Sequence, residues 1–208
     1  MPKSVVIVKR IIDLILSVMG LALTLPFYPF IALAIKLDSR GPVFFRQQRV
    51  GLSTEDRLHY FHMIKFRSMR SDAEQTSGPV WAVDNDPRIT PVGRILRKAR
   101  LDELPQLFNV LIGDMSIVGP RPERPHFVEK LDQQIPYYSE RINQVKPGIT
   151  GYAQINCEYD TSEESVKTKL YYDHAYAARL TTFKQFLAAD LEIMIKTVTV
   201  MFTGKGAK

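Results

Sequence analysis

A chain of 208 residues with a net charge of +6 and a pI near 9.4 has room for one domain with a core, or a domain plus a membrane element, and hardly for two large domains. The basic excess favours an anionic partner: nucleic acid, an acidic membrane surface or a phosphorylated substrate. One cysteine, Cys157, excludes an internal disulfide framework and suits a reducing compartment, while four histidines without a His-Glu-x-x-His pattern argue against a zinc hydrolase.

From Leu14 to Ile35 no residue is charged. At about 1.5 Å per residue a helix of that length crosses a hydrocarbon layer. Pro26, however, removes a ladder hydrogen bond and clashes with the carbonyl of Ala22, and Pro29 follows within a turn. Residues 9 to 37 are therefore predicted to form a helix-break-helix that enters one leaflet and returns, with Thr24 satisfying backbone groups freed near Pro26. Lys3, Lys9 and Arg10 on one side and Lys36 and Arg40 on the other leave both ends free to be cytoplasmic. Three other readings stand beside this one: a kinked spanning helix, a signal peptide ending near Ala32-Leu33-Ala34, and a buried core helix.

Pro42 to Val50 and Leu58 to Met69 are rich in Phe, Tyr, Val and Ile and read as a hairpin, with a polar connection over Gly51 to Arg57. Lys65 and Arg67 would share one face, as phosphate contacts or as a solvated edge. Asp84-Asn85-Asp86 matches an Asp-x-Asp metal motif or, before Pro87, a simple turn. Thr90-Pro91 is an N-cap with proline at N1, opening a basic helix that carries Arg94, Arg97, Lys98 and Arg100 and stops before Asp102.

Leu101-Asp102-Glu103-Leu104-Pro105-Gln106 sets two carboxylates just ahead of a proline, which helices tolerate in their first turn. A helix is predicted from Asp102 or Glu103 to Gly113. Asp102 at its start is either an N-cap or a carboxylate held beside a phosphate or an Mg²⁺-bound phosphate. Gly119-Pro120-Arg121-Pro122 stiffens the backbone on both sides of Arg121, as a phosphate clamp or a plain turn. Lys146 to Gly151 is a glycine-bounded turn without a nucleotide fingerprint. Thr161 and Glu164 form a capping-box pattern before a helix through Val166, Leu170 and His174. A last helix, capped by Thr181 or Thr182, runs to about Phe202. Phe183, Leu187, Leu191, Met194, Val198 and Met201 lie along one stripe that would face a membrane or the core, with Asp190 on that side, either paired with a Lys or Arg or contributing to a polar site.

These elements give an α+β fold, mainly helical: a small β-hairpin packed with amphipathic helices, plus the N-terminal re-entrant segment. Residues 1–40 would be the membrane segment and residues 41–208 a cytosolic-facing catalytic domain with interfacial amphipathic helices.

The chain resembles the monotopic phosphoglycosyl transferases, or bacterial sugar transferases, in their minimal form, from Lys9 to about Thr197. The stretches that carry the resemblance are Lys9 to Asp13, Gly41 to Gln47, Lys65 to Met69, Asp86 to Thr90, Leu101 to Pro122 and Lys146 to Asn156. Cys157 departs from the family's usual Gly, and the stretch from Asp173 to Asp190 is a few residues longer than its pattern. The resemblance implies transfer of a phosphosugar from a UDP-sugar to a polyprenyl phosphate such as undecaprenyl phosphate. UMP would be released at the cytoplasmic face of the bacterial inner membrane, as the first membrane step of glycoconjugate assembly. It implies Asp102 as a covalent nucleophile and Glu103 as its partner, with the pair holding Mg²⁺ or Mn²⁺. Lys65, Arg88 and Arg121 would then neutralise phosphate charge, and Asp190 would support the site. Two rivals are a metal-dependent UDP-sugar glycosyltransferase releasing UDP and a noncatalytic basic membrane adaptor. Basic residues without interleaved aromatics favour no nucleic-acid partner.

Overall fold

The chain is organised around a long first helix. In the computed structural model, which describes residues 1–54, 57–74, 78, 80, 86–157 and 163–203, α1 spans Lys3–Thr24, a 3-10 turn covers Leu25–Phe27 and α2 spans Tyr28–Asp38. The interruption falls at Pro26, where the missing amide and the ring leave no room for a continuous ladder. The helix begins at Lys3, six residues ahead of the predicted boundary. Thr24 Oγ1 donates to the carbonyl of Gly20 at 2.7 Å, not to that of Ala22.

The polarity of α1 is inverted relative to an ordinary surface helix. Its buried face is Val5, Lys9, Asp13, Ser17 and Leu21, a stripe at i, i+4 spacing with three polar members. Its outer face carries Ile7, Ile11, Ile15, Val18 and Leu23, all exposed, and α2 continues that surface with Phe30, Leu33 and Leu37. A buried core helix is thereby excluded, since Leu23 is 70% and Leu37 79% exposed. No helix among the described residues is long and apolar enough to cross a membrane.

The hairpin forms with a longer first strand and a shorter second strand than predicted: β1 is Phe44–Thr54 and β2 Arg57–Phe66, antiparallel, with Phe45 opposite Lys65 and a register shift between Val50 and Ser53. Gly51–Thr54 and Arg57 belong to the strands and not to a loop, with Gly51 and Leu52 at the register shift. Thr54 and Arg57 at the ribbon's tip are exposed while Gly51 and Ser53 are buried, so the polarity of the segment does not mark a loop. Arg67 lies beyond β2 and does not share the role of Lys65. Its guanidinium donates to the carbonyls of Ser39 at 2.7 Å and Arg40 at 2.5 Å, closing the C-terminal end of α2.

Helix α3, Pro91–Lys98, starts as predicted, with Thr90 Oγ1 accepting from the Gly93 amide at 3.0 Å. A left-handed Arg100 (φ 55°) then leads into a 3-10 turn, Leu101–Glu103, and α4 is Gln106–Ile112, ended by Gly113 at φ 101°. The α-helix thus begins four residues later than Asp102. Two short strands, β3 (Ser116–Val118) and β4 (Gly148–Thr150), pair in parallel, so part of the predicted turn at Lys146–Gly151 is extended. Gly119 is needed there because a Cβ would sit 2.3 Å from the Lys146 carbonyl oxygen. The remaining elements are α5 (Pro125–Gln134), a 3-10 turn (Ser139–Ile142), α6 (Tyr152–Asn156), α7 (Glu163–Arg179) and α8 (Phe183–Thr203). Thr161, half of the predicted capping box, lies outside the described residues.

The main core joins α1, β3, α7 and α8 through Val5, Val118, Tyr176, Phe186 and Ile193. In the stripe of α8, Phe183, Leu187, Leu191 and Val198 are exposed, while Phe186, Ala189, Asp190 and Ile193 are buried, so Asp190 lies on the protein side and not with the stripe. A second core places Tyr28 and Ile35 of α2 against Phe66 and Leu96. Buried Asn109 joins α4 to β2, donating to the His62 carbonyl at 2.8 Å and accepting from the Ile64 amide at 3.0 Å. Arg10 of α1 donates to the carbonyls of Val110 and Leu111 at the far end of α4. The turn ahead of α4 is therefore held from both sides.

Candidate active site

That turn carries the two adjacent carboxylates into different surroundings. Glu103 Oε1 accepts from Lys65 Nζ at 2.7 Å and from Arg121 Nη2 at 3.0 Å. Asp102 is 6% exposed, and among the described residues no hydrogen bond or ion pair reaches its carboxylate. It caps neither the 3-10 turn nor α4. Burial raises the Asp102 pKa and the Glu103 charge raises it further, against the pull of Lys65. Burial acts on Glu103 in the same sense, yet Lys65 and Arg121 outweigh it and hold that carboxyl far below the usual range. Lys65 is itself lowered by burial, with Glu103 opposing the shift.

Arg121 is presented by a backbone whose successive carbonyls are all bonded. Pro120 accepts from the Gly148 amide at 2.9 Å, Arg121 from Arg141, Pro122 from Arg49 at 3.0 Å, and Glu123 from the Val50 amide at 2.9 Å. The prolines stiffen the loop, and these four bonds fix its position. Arg141 is anchored in turn by Asp173 of α7 at 3.3 Å.

Asp102, Glu103, Lys65, Arg88 and Arg121 all line one cavity of about 630 Å³, a size suited to a nucleotide-sized ligand. Arg88 reaches its wall while donating to Asp86 at 2.5–3.1 Å. Asp86 also accepts from the Arg88 amide at 3.0 Å, the turn reading of Asp84-Asn85-Asp86; Asp84 and Asn85 lie outside the described residues. Asp190 is placed elsewhere. It accepts from Lys9 Nζ at 2.6 Å and from the Tyr176 hydroxyl at 2.7 Å, a buried ion pair that ties α8 to α1. Of the two sequence readings of Asp190, pairing with a basic side chain is the one observed.

Sequence reasoning missed Arg49, Arg70, Arg124 and Arg141, which also line the cavity. Only Arg49 carried a local signal: it follows Phe45 and Gln47 at period two on β1. Among the described lining residues eleven are Lys or Arg and five Asp or Glu. That excess equals the +6 of the whole chain, so the basic charge is concentrated on one anion-sized space.

Nearly the whole chain that builds this cavity matches known proteins. A family model described as bacterial sugar transferase matches residues 4–204. The chain belongs to the bacterial sugar transferase family. It is 42% identical over 201 residues to a UDP-N-acetylgalactosamine-undecaprenyl-phosphate N-acetylgalactosaminephosphotransferase of Aeromonas hydrophila, covering 97% of this chain and 45% of that protein. It is likewise 42% identical over 204 residues to a UDP-glucose:undecaprenyl-phosphate glucose-1-phosphate transferase of Escherichia coli (strain K12), covering 97% and 41%. An exopolysaccharide production protein PSS of Rhizobium leguminosarum bv. phaseoli is 38% identical over 209 residues, covering 96% of this chain and 98% of its own. This sugar transferase thus spans less than half the length of the first two relatives and nearly all of the third.

Proposed function

We propose that this sugar transferase moves a phosphosugar from a UDP-sugar to a polyprenyl phosphate, undecaprenyl phosphate in the bacterial inner membrane, through a covalent intermediate on Asp102. The observation that carries the reading is a buried, unpartnered carboxylate beside one already neutralised by two cations. An Asp kept for structure would be paired. One left open to a cationic cavity is a nucleophile poised for an anionic electrophile. An Asp102 oxygen attacks the sugar-bearing phosphorus, the bond to the bridging oxygen breaks, and UMP leaves. A lipid phosphate oxygen then attacks the same phosphorus, and the aspartyl bond breaks to give polyprenyl diphosphate sugar. Arg121 and Lys65 neutralise charge on the phosphoryl oxygens in both displacements, and Glu103 holds those two cations in register. Names of relatives that specify undecaprenyl phosphate and a UDP-sugar support the same pair of substrates.

Among the described residues no group of three or more His, Cys, Asp or Glu is set to hold a metal. The free Asp102 carboxylate and the second oxygen of Glu103 are hard donors that fit Mg²⁺, or Mn²⁺, shared with substrate oxygens and water. Such an ion supplies charge neutralisation on the diphosphate when bound. The exposed apolar faces of α1 and α2 support a monotopic seat at the cytoplasmic face, which brings the site to the depth of a lipid phosphate.

Incubation with labelled UDP-sugar and no lipid is expected to release UMP and label Asp102. Asp102→Asn is expected to lose turnover while keeping fold and membrane association. UDP as product, or substantial activity in Asp102→Asn with no adduct in the wild type, refutes the mechanism.

A further inference from the structure

The cavity is lined in part by apolar side chains that phosphate chemistry does not use. On the hairpin face that walls it, β1 supplies Phe45, Gln47 and Arg49, and β2 supplies Met63 and Lys65. Phe45 stands directly opposite Lys65, which sets their Cβ atoms about 5 Å apart. Phe45 is 43% exposed, close to the value for Phe44 beside it, whereas Phe66, next to Lys65 in sequence, is buried. An aromatic ring left open beside the lysine that reaches Glu103 needs an apolar ligand.

Its position narrows the choice of ligand. The start of β1 lies against α2: the Phe44 ring is 6.5 Å from that of Tyr28, and Val43 packs into the core that holds Tyr28 and Ile35. The outer face of the same helix is the exposed apolar surface of Phe30, Leu33 and Leu37. Arg49, four residues and about 13 Å further along the strand, holds the Pro122 carbonyl of the Arg121 loop. The wall therefore starts at the strand end whose other face packs on α2 and ends at the cationic Arg121 loop, with the Phe45–Lys65 pair at the α2 end.

We propose that Phe45 binds the first isoprene units of the acceptor while Lys65 meets its phosphate. A prenyl phosphate joins an anion to a branched apolar chain through a single oxygen, so a cation and a ring side by side match its head. The diphosphate of a UDP-sugar is flanked by two hydroxylated rings, which present less continuous apolar surface to a ring at that distance than a prenyl chain does. The inference rests on the reading of the acceptor as a lipid phosphate.

The test separates the two half-reactions, using the full chain in phospholipid vesicles. Phe45→Ala is expected to raise the KM for polyprenyl phosphate about tenfold or more, leaving the burst of UMP released without lipid and the KM for UDP-sugar unchanged. Phe45→Leu, still apolar, is expected to keep most of the affinity. Farnesyl phosphate should inhibit the wild type far more strongly than inorganic phosphate, and Phe45→Ala should erase that difference. An unchanged acceptor KM in Phe45→Ala, or loss of the UMP burst in both variants, overturns the assignment; the second result places the ring on the donor or in the fold. A wild type that releases no UMP without lipid refutes the covalent reading itself, whatever Phe45 does.

Discussion

Asp102 and Glu103 are neighbours in sequence with opposite electrostatics, and the difference predicts the pH behaviour. The attacking form of Asp102 is the carboxylate, and burial raises its pKa. The rate of UMP release should therefore fall as pH drops through a value above the usual carboxylate range, measured as an acid limb in kcat/KM. Glu103→Gln removes a negative neighbour that helps raise that pKa, so the limb should move to lower pH even though turnover is reduced. An acid limb that moves upward would contradict the assigned coupling. Stability follows each sign separately. Glu103, with its pKa depressed by Lys65 and Arg121, contributes stability at neutral pH that is lost as pH falls toward its folded value. Asp102, raised by burial, contributes the opposite slope, with stability falling as pH rises through its window. The pair itself was legible in the sequence because it is contiguous and precedes a proline. Which member stays free was not legible, since Lys65 and Arg121 stand 38 and 18 residues from Glu103.

At the scale of elements, the buried pair of Lys9 and Asp190 fastens the first helix to the last. Lys9→Met leaves a buried carboxylate without its cation and should cost about 3–5 kcal/mol of stability, read by thermal unfolding in detergent. Lys9→Met with Asp190→Leu should recover much of that loss, and the activity of the folded fraction should be retained, as for a residue outside the cavity. Gly119→Ala should act differently. Its Cβ meets the Lys146 carbonyl, so the Arg121 loop must shift and turnover should fall well beyond the loss of stability. The break at Pro26, the hairpin and the Thr90 cap could be read from the sequence because covalent geometry and local hydrogen bonding set them. The orientation of α8 could not. Periodicity reveals that Phe183, Leu187, Leu191 and Val198 share a side, but not whether protein or lipid covers it, and here the polar Asp190 marks the protein side.

For the whole molecule, the exposed apolar surface of α1 and α2 makes a topological prediction. Cysteines placed at Ser4 and Arg40 in a Cys157→Ser background should react with an impermeant maleimide from the same side of the membrane. Replacing Pro26 and Pro29 by leucine permits an uninterrupted helix, so part of the population should then label from opposite sides and lose activity. Opposite-side labelling of the active wild type would refute the monotopic seat while leaving the Asp102 chemistry intact. The inverted polarity of α1 also bears on how the protein is made. Lys9 and its partner Asp190 are 181 residues apart, a distance the ribosome takes about 10 to 40 s to cover. Through that interval the first helix has an apolar side that can settle into a bilayer at once and a charged side whose partner does not yet exist. On the membrane-seated reading proposed above, α1 would settle on the bilayer before α8 is made, and the Lys9–Asp190 pair would close only once α8 has been added.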